Sequence, residues 1–209
     1  MKRYRVNNIF YSLQGEGRNT GRAAVFVRFA GCNLRCPFCD TEFDSYTEMT
    51  AEEILAKIAT HHSSLTTHQL PLIVLTGGEP TLQVDDDFVD LLHQHGYEVA
   101  MESNGTRPAP KNLDWLTVSP KSLPLPPSKE RGKLPDEIKI VFTKASDADN
   151  LLSDSPFLLG EAGGYLYLQP CDTGDVVRNA AIIKQCVDYI KAHPQWRLSL
   201  QTHKLIGIE

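Results

Sequence analysis

The most reactive side chains of this sequence lie in one short segment, which holds three of its five cysteines: Cys32-Asn33-Leu34-Arg35-Cys36-Pro37-Phe38-Cys39. An odd number of cysteines, clustered and without an export signal, favours metal or redox chemistry over a disulfide framework. Three thiolates can hold three irons of a cubane [4Fe–4S] cluster and leave the fourth iron open. A structural zinc ion would need a fourth protein ligand, for which a distant histidine, Cys171 and Cys186 are candidates.

A second segment of interest is the glycine-rich turn Thr76-Gly77-Gly78-Glu79-Pro80, which follows the apolar run of residues 72–75. Glycines at the end of a strand allow a ligand or another backbone to approach closely. Taken alone, the segment is an ordinary turn. After a buried strand, and in a chain that also has the cysteine loop, it becomes a candidate ligand-binding turn.

Hydrophobic periodicity places both segments within an alternation of strands and helices. We predict strands over residues 24–29, 72–75, 98–102, 115–119, 137–142, 165–169 and 197–201, and helices over residues 50–61, 85–95 and 179–193. Thr50 and Glu53 have the spacing of a capping box, the aspartates at 85–87 suit a solvated helix start, and Gly96 suits a helix stop. These units predict an α/β fold with a mostly parallel sheet, open or barrel-like, whose sites lie at the carboxyl ends of the strands.

Composition and charge bound the class of protein. The 209 residues are 41% hydrophobic and 22% charged, which predicts a single domain over residues 1–209 with one core. The proline-rich residues 123–135 predict a mobile loop or linker within it. The absence of a long apolar run or a signal peptide predicts a cytoplasmic protein without a membrane partner. A net charge of −5 with no basic block argues against nucleic acid as a partner.

The cysteine segment and its flanks, from Gly31 to Thr41, resemble the radical S-adenosylmethionine (SAM) enzymes, and the glycine-rich turn resembles the superfamily motif for the amino group of SAM. The resemblance implies a [4Fe–4S] cluster on Cys32, Cys36 and Cys39, with SAM chelated by the open iron. It further implies that an electron from the cluster cleaves SAM to a 5′-deoxyadenosyl radical, which abstracts hydrogen from the substrate. The protein binds, orients and excludes water, while the cofactor carries the chemistry.

Segments outside these motifs resemble one family in the superfamily, the 7-carboxy-7-deazaguanine synthases. They are Tyr11-Ser12-Leu13-Gln14-Gly15-Glu16-Gly17, Ser119-Pro120-Lys121, Gln169-Pro170 and Trp196-Arg197-Leu198-Ser199-Leu200-Gln201-Thr202-His203-Lys204. The resemblance covers residues 9–209 and implies ring contraction of 6-carboxy-5,6,7,8-tetrahydropterin to 7-carboxy-7-deazaguanine, with loss of ammonia, in queuosine biosynthesis. It implies hydrogen abstraction from C6, regeneration of SAM, Mg²⁺, a shortened, open β/α partial barrel and a homodimer. A flavodoxin-like electron donor is an expected partner.

Carried over by motif, the family's roles fall on residues throughout the chain. SAM contacts are implied for Phe38, Cys39, Asp40, Gly78, Ser119, Pro120, Lys121, Gln169, Pro170, Cys171 and Asp172. Substrate contacts are implied for Leu13, Gln14, Gly15, Glu16, Arg28, Thr76 and the last carboxylate, on Glu209. The implied Mg²⁺ ligand is Thr41, and further pocket candidates are Glu102, Asn104 and His203.

The residue types suit these roles, and each has a structural alternative. A Gln and a Glu on a glycine-hinged loop can pair with the edge of a pterin, although the loop could be a plain turn. Arg28 can hold a carboxylate through two hydrogen bonds or can form a structural ion pair. His203 can equally be structural. Cys171 and Cys186 are interpreted as packing residues, because free cysteine behaves as a small hydrophobe.

Two other functions fit part of the sequence. A glycyl-radical-enzyme activase would share the compact chain, the cysteine loop and the glycine-rich turn. It would have no reason for the loop of residues 13–16 or the ending of residues 201–204. A zinc-stabilised binding module without redox chemistry would share only the cysteines.

Overall fold

The computed structural model of the chain describes residues 2–39, 41–42, 44–62, 69–121, 132–154 and 165–209, and side chains for all of these except residues 151–154. The implied SAM contact Asp40 lies outside the described residues. So do residues 122–131, which make up most of the predicted proline-rich loop.

The described strands form one sheet. In chain order they are β1 (Tyr4–Leu13), β2 (Ala23–Phe29), β3 (Thr47–Met49), β4 (Leu72–Gly77), β5 (Val99–Ser103), β6 (Trp115–Val118), β7 (Glu137–Phe142), β8 (Tyr165–Pro170) and β9 (Trp196–Leu198). Across the sheet their order is β3-β1-β2-β4-β5-β6-β7-β8-β9. The β1 strand pairs antiparallel with β2 and β3, and every pair from β2 to β9 is parallel. The sheet is not closed, which confirms the prediction of an open, mostly parallel α/β fold.

The described helices follow the strands in chain order. They are α1 (Ala51–His62), α2 (Asp86–Gln94), α3 (Ala145–Asp154), α4 (Val176–Ala192) and α5 (Thr202–Ile206). The predicted capping box opens α1, because Thr50 N donates to Glu53 Oε2 at 2.7 Å and Glu53 N donates to Thr50 Oγ1 at 3.2 Å. Asp85 caps α2 by accepting from Phe88 N at 3.1 Å. Within the described ranges, no helix is long and apolar enough to cross a membrane.

The two faces of the sheet carry different residues. Residues Leu72 to Leu75 of β4 are all buried, as predicted for a strand covered on both faces. Ile73 and Leu75 join a large cluster with apolar side chains of α1, α2 and α4, in which Cys186 is fully buried as predicted. Leu72 and Val74 face the other way, into a small cluster. The helices therefore pack on one face, and the second face is left to form the site.

Two of these strands and two of these helices were not predicted. The strand predicted over residues 24–29 is the second in the chain, because Tyr4–Leu13 forms β1, in which adjacent polar residues at 7 and 8 interrupt the alternation. Strand β3 and helix α5 are three and five residues long, too short to show a period, and α3 contains few apolar residues. The predicted last strand is shorter than expected and ends at Leu198, and α4 begins at Val176 behind the N-cap Asp175.

Candidate active site

Side chains on the open face of the sheet become polar towards the carboxyl ends of the parallel strands. On β2, Ala24 and Phe26 are followed two residues later by Arg28, and on β4, Val74 is followed by Thr76. Arg28 and Thr76 lie opposite each other in register. Every second side chain of a strand lies on the same face of the sheet. On this face each strand begins with apolar side chains and ends with a polar one, so the polar side chains collect at one edge of the sheet.

These side chains surround a cavity of about 520 Å³, a volume typical of small-molecule sites. The sequence-predicted residues that line it are Leu13, Gln14, Gly15, Glu16, Arg28, Cys32, Cys36, Phe38, Cys39, Thr41, Thr76, Gly78, Glu102, Asn104, Ser119, Lys121, Gln169, Pro170, Cys171, Asp172, His203 and Glu209. Pro120 is buried and is not part of this lining. Its neighbours Ser119 and Lys121 are part of it, and Lys121 Nζ donates to Ser119 Oγ at 2.7 Å.

The cysteine loop forms one wall of the cavity. All three of its thiols are free, with Cys32 and Cys36 half-buried and Cys39 exposed. The main-chain N–H of Leu34 donates to Cys32 Sγ at 3.4 Å. Three free thiols from one loop, beside a cavity, fit a cubane cluster with one open iron. In the described part of the chain, no group of three or more His, Cys, Asp or Glu side chains is gathered around a single point.

The glycine-rich turn packs directly against the start of the cysteine loop. Glu79 N donates to Gly31 O at 2.9 Å, and Gly78 N donates to Phe29 O at 2.9 Å. A Cβ on Gly78 would lie 2.0 Å from Gly31 O and 3.0 Å from Cys32 N, closer than atoms can approach. Only glycine therefore allows the two segments to meet here.

A buried carboxylate ties this turn to the next strand. Glu79 is fully buried, and its oxygens accept hydrogen bonds from Thr81 Oγ1 at 2.7 Å, Ser103 Oγ at 2.9 Å and Asn104 N at 2.7 Å. The side chain of Asn104 donates through Nδ2 to Asn33 Oδ1 in the cysteine loop at 3.0 Å. The ends of β4 and β5 and the cysteine loop are thus one connected network.

The structure gives the surroundings of Arg28 and Cys171, for which the sequence left alternatives open. Arg28 lines the cavity, and its guanidinium lies 5.1 Å from the centre of the Phe10 ring. Among the described residues it forms no ion pair. Cys171 is buried and also lines the cavity, so its position fits both packing and a ligand contact.

The chain is similar to proteins of a known family. Residues 26–124 match the model of the Radical SAM superfamily. The chain is 44% identical over 204 residues to the 7-carboxy-7-deazaguanine synthase of Bacteroides thetaiotaomicron, which covers 98% of both chains. It is 42% identical to that of Bradyrhizobium diazoefficiens, over 98% of this chain and 99% of the relative. The chain belongs to the 7-carboxy-7-deazaguanine synthase family.

A solved structure agrees with membership in the 7-carboxy-7-deazaguanine synthase family. The crystal structure of QueE from Escherichia coli superimposes with a TM-score of 0.74 at 28% identity, covering 95% of this chain and 93% of that one. The family's enzymes are radical SAM lyases, so the superfamily and enzyme predictions are confirmed. Membership implies a [4Fe–4S] cluster and SAM as cofactors. A glycyl-radical-enzyme activase and a zinc module are both inconsistent with it.

Sequence reasoning missed a buried cation in the lining of the cavity. Lys139 of β7 is buried, and its Nζ lies 2.5 Å from Glu16 Oε2 and 3.0 Å from Glu102 Oε2. Burial alone would raise the pKa of Glu16, but the Lys139 ammonium lowers it to about 2. Burial also disfavours the charge on Lys139, yet the two carboxylates raise its pKa above the ordinary value. A lysine inside an apolar strand was the available signal.

Strand β7 carries a second ionisable residue that sequence reasoning missed. Glu137 is buried, and its Oε2 accepts from Arg18 N at 2.8 Å. Its Oε1 has no hydrogen-bond partner in the described part of the chain. Burial and, after it, the Glu102 carboxylate raise the pKa of Glu137 to about 7.

The segment of residues 201–209 contributes to the cavity lining and contacts the loop that carries Glu16. Thr202 N donates to Gly15 O at 3.0 Å, and Gln201 Nε2 donates to Glu16 Oε1 at 3.1 Å. A Cβ on Gly15 would lie 2.2 Å from His203 Nδ1, so the glycine leaves room for the imidazole. The end of the segment contacts β1, where Ser12 Oγ donates to the main-chain oxygen of Glu209 at 2.6 Å. His203 and Glu209 therefore reach the cavity because this segment folds back onto β1.

Proposed function

We propose that this chain converts 6-carboxy-5,6,7,8-tetrahydropterin to 7-carboxy-7-deazaguanine with release of ammonia, as a step in queuosine biosynthesis. The observation that carries the proposal is a single cavity lined by two chemically distinct sets of residues. One set is the three thiols with the glycine-rich turn, and the other set is Arg28, Gln14 and Glu16. A cofactor and a substrate bound in this one cavity would be close to each other.

Residues of the cysteine loop and the glycine-rich turn bind and orient the cofactors. Cys32, Cys36 and Cys39 hold the [4Fe–4S] cluster. The cluster and SAM, when bound, supply the radical that takes hydrogen from C6 of the substrate. The exposed ring of Phe38 offers an aromatic surface to the adenine, and Gly78 offers its backbone to the amino group of SAM. The remaining SAM contacts are Ser119, Lys121, Gln169, Pro170, Cys171 and Asp172, with Asp40 and Pro120 retained from the family motif.

The second set of lining residues recognises a small acidic heterocycle. The Arg28 guanidinium holds the substrate carboxylate through two parallel hydrogen bonds. The ring contacts are Leu13, Gln14, Gly15, Glu16, Thr76, Glu102, Asn104 and His203, with Glu209 on the covering segment. Residues 201–209 exclude water from the bound substrate, which protects reactive species from side reactions.

Mg²⁺ is a further part of the proposal. Thr41 lies beside both the cysteine loop and the cavity, and its hydroxyl is a hard oxygen ligand. Mg²⁺ prefers few protein ligands and completes its octahedron with water and substrate oxygens. The nearby Glu42 carboxylate is already engaged by Ser45 N, Ser45 Oγ and Asn7 Nδ2. Thr41 is therefore the better candidate of the two.

The proposal extends to how the chain works in the cell. We expect one domain over residues 1–209, a homodimer and a flavodoxin-like electron donor. The exposed Cys39 and Phe38 give an electron donor access to the cluster loop. A cytoplasmic location is consistent with three free thiols, which a reducing compartment maintains.

One experiment tests substrate, reaction and cluster together. Anaerobically reconstituted protein is incubated with SAM, dithionite, Mg²⁺ and 6-carboxytetrahydropterin, and products are followed by mass spectrometry. We expect 7-carboxy-7-deazaguanine from the unmodified chain and from Cys186→Ala, whose thiol is buried away from the cavity. We expect none from Cys36→Ala. Cleavage of SAM to 5′-deoxyadenosine with the pterin untouched would refute the proposed substrate.

A further inference from the structure

The cavity lining includes one ammonium shared by two carboxylates. Lys139 comes from β7, Glu102 from β5 and Glu16 from the loop after β1, so three elements meet at this point. All three residues line the cavity. The Lys139 side chain is 5% exposed, whereas the carboxyl side chains are 19% and 20% exposed, so the two acids are the more accessible members of the cluster.

All four carboxylate oxygens of this cluster accept hydrogen bonds from protein donors. Glu16 Oε2 and Glu102 Oε2 both accept from Lys139 Nζ. Glu16 Oε1 accepts from Gln201 Nε2 at 3.1 Å, and Glu102 Oε1 accepts from Gln14 Nε2 at 3.2 Å. The Gln14 amide is itself oriented by Gly15 N, which donates to Gln14 Oε1 at 2.8 Å. Every donor favours the ionised form of the two acids. For Glu102 these donors act against burial, which raises the pKa of this carboxyl above its ordinary value.

We propose that Lys139 is a positioning residue that keeps Glu16 and Glu102 as hydrogen-bond acceptors, and that this state makes the cavity select a 2-amino-4-oxo ring over its 2,4-dioxo counterpart. The inference rests on the proposed function, because it concerns the ring of the proposed substrate. It adds a specificity determinant outside the residues that the family motifs assign.

The chemical basis is the donor and acceptor pattern of the ring edge. A 2-amino-4-oxo ring presents an N–H at position 3 beside an amino group at position 2, which are adjacent donors for an ionised carboxylate. The 2,4-dioxo ring keeps the N–H but places an oxygen at position 2. That oxygen would face a carboxylate oxygen, leaving two acceptors in contact without a proton. A protonated carboxyl group would remove the mismatch by donating to the oxygen.

Loss of the Lys139 charge would therefore change specificity, not only stability. Without their shared counter-ion, two neighbouring carboxyls disfavour each other's ionisation and retain a proton to higher pH. The other titratable groups that face the cluster are Glu137 on β7, Lys121 after β6 and His203 on α5. All three are kept constant in every variant, so that their charges do not differ between the measurements.

The test measures anaerobic equilibrium binding of the two rings, with a carboxyl group at position 6 in both, to the reconstituted protein with SAM. For the unmodified chain we expect the 2-amino-4-oxo ring to bind at least about 100-fold more tightly, with a preference that is constant from pH 6.5 to 8.5. Lys139→Met should lower the preference to below about tenfold at pH 6.5 and regain part of it at pH 8.5. Lys139→Arg retains the charge and should keep the constant profile.

Neutral variants of the acids test the inference separately from folding of Lys139→Met. Glu16→Gln and Glu102→Gln keep the side-chain shape and present an N–H to the cavity, so at least one should relax the preference without a pH dependence. The inference is wrong if Lys139→Met and both amide variants retain the preference of the unmodified chain. Failure of the unmodified chain to bind the 2-amino-4-oxo ring would instead refute the proposed function.

Discussion

At the scale of single residues, the site is governed by charges that have been moved out of water. Lys139 satisfies two carboxylates, but Glu137 on the same strand has an oxygen without a partner among the described side chains. Burial and, after it, the Glu102 carboxylate raise the pKa of Glu137 to about 7, so the folded chain keeps this proton until the pH approaches neutrality. An acid with a raised pKa binds its proton more tightly when folded than when unfolded.

We predict that Glu137→Gln changes the pH dependence of stability. Between about pH 4.5 and 7 the unfolded chain releases the Glu137 proton while the folded chain keeps it, so the contribution of this residue falls as pH rises and is lost above pH 7. The loss is on the order of 3 kcal/mol. Urea unfolding at pH 5 and pH 8 should therefore show that Glu137→Gln gains stability relative to the unmodified chain as pH rises. An equal difference at both pH values would contradict the argument.

At the scale of elements, the site depends on how closely the ends of neighbouring strands approach. The glycine-rich turn after β4 and the cysteine loop after β2 contact each other through backbone atoms at Gly78 and Gly31. The Glu79 carboxylate then fixes the end of β5 to the same point. Because these contacts involve main chain, a side chain introduced here has no flexible neighbour to displace.

We predict that Gly78→Ala weakens the binding of SAM and of the [4Fe–4S] cluster. A Cβ at 2.0 Å from Gly31 O must push the cysteine loop away from β4, so we expect at least a tenfold loss of SAM affinity and less iron and acid-labile sulfide per chain. Both are measured after anaerobic reconstitution. The control is Gly21→Ala, where φ is +86° but no atom lies within 4 Å of the added Cβ. Equal cluster content and SAM affinity in the two variants would show that the close approach is unimportant.

At the scale of the whole molecule, the two ends of the described chain close the site together. The segment of residues 201–209 crosses the cavity and is fixed to β1 by Ser12 Oγ and Asn8 Nδ2, which donate to Glu209 at 2.6 and 2.8 Å. Lys204 and Asp172 add an ion pair at 3.1 Å between this segment and the residues after β8. The cavity therefore depends on contacts between residues about 200 positions apart.

We predict that Ser12→Ala loosens this covering segment. Loss of the hydroxyl removes one hydrogen bond to Glu209, worth about 1 kcal/mol, so amide hydrogen exchange in residues 201–209 should accelerate about fivefold. The KM for the pterin should rise by a similar factor. Ser12→Thr keeps the hydroxyl and serves as the matched control. Unchanged exchange in Ser12→Ala would show that other contacts hold the segment.

The sequence by itself determined the elements whose patterns are local. Apolar runs and their stops located most strands and the helices α1, α2 and α4, and residue types identified the cysteine loop and the glycine-rich turn. Capping at Thr50 and Glu53 was predictable because all its atoms lie within one helical turn.

Only the tertiary structure decided which residues meet. Lys139 was not recognised because its partners, Glu16 and Glu102, are 123 and 37 residues away in sequence. Pro120 lies in a predicted binding segment, yet it is buried outside the cavity lining while both neighbours line it. Burial and ion pairing depend on distances in space, which strand order and register set and local sequence does not encode.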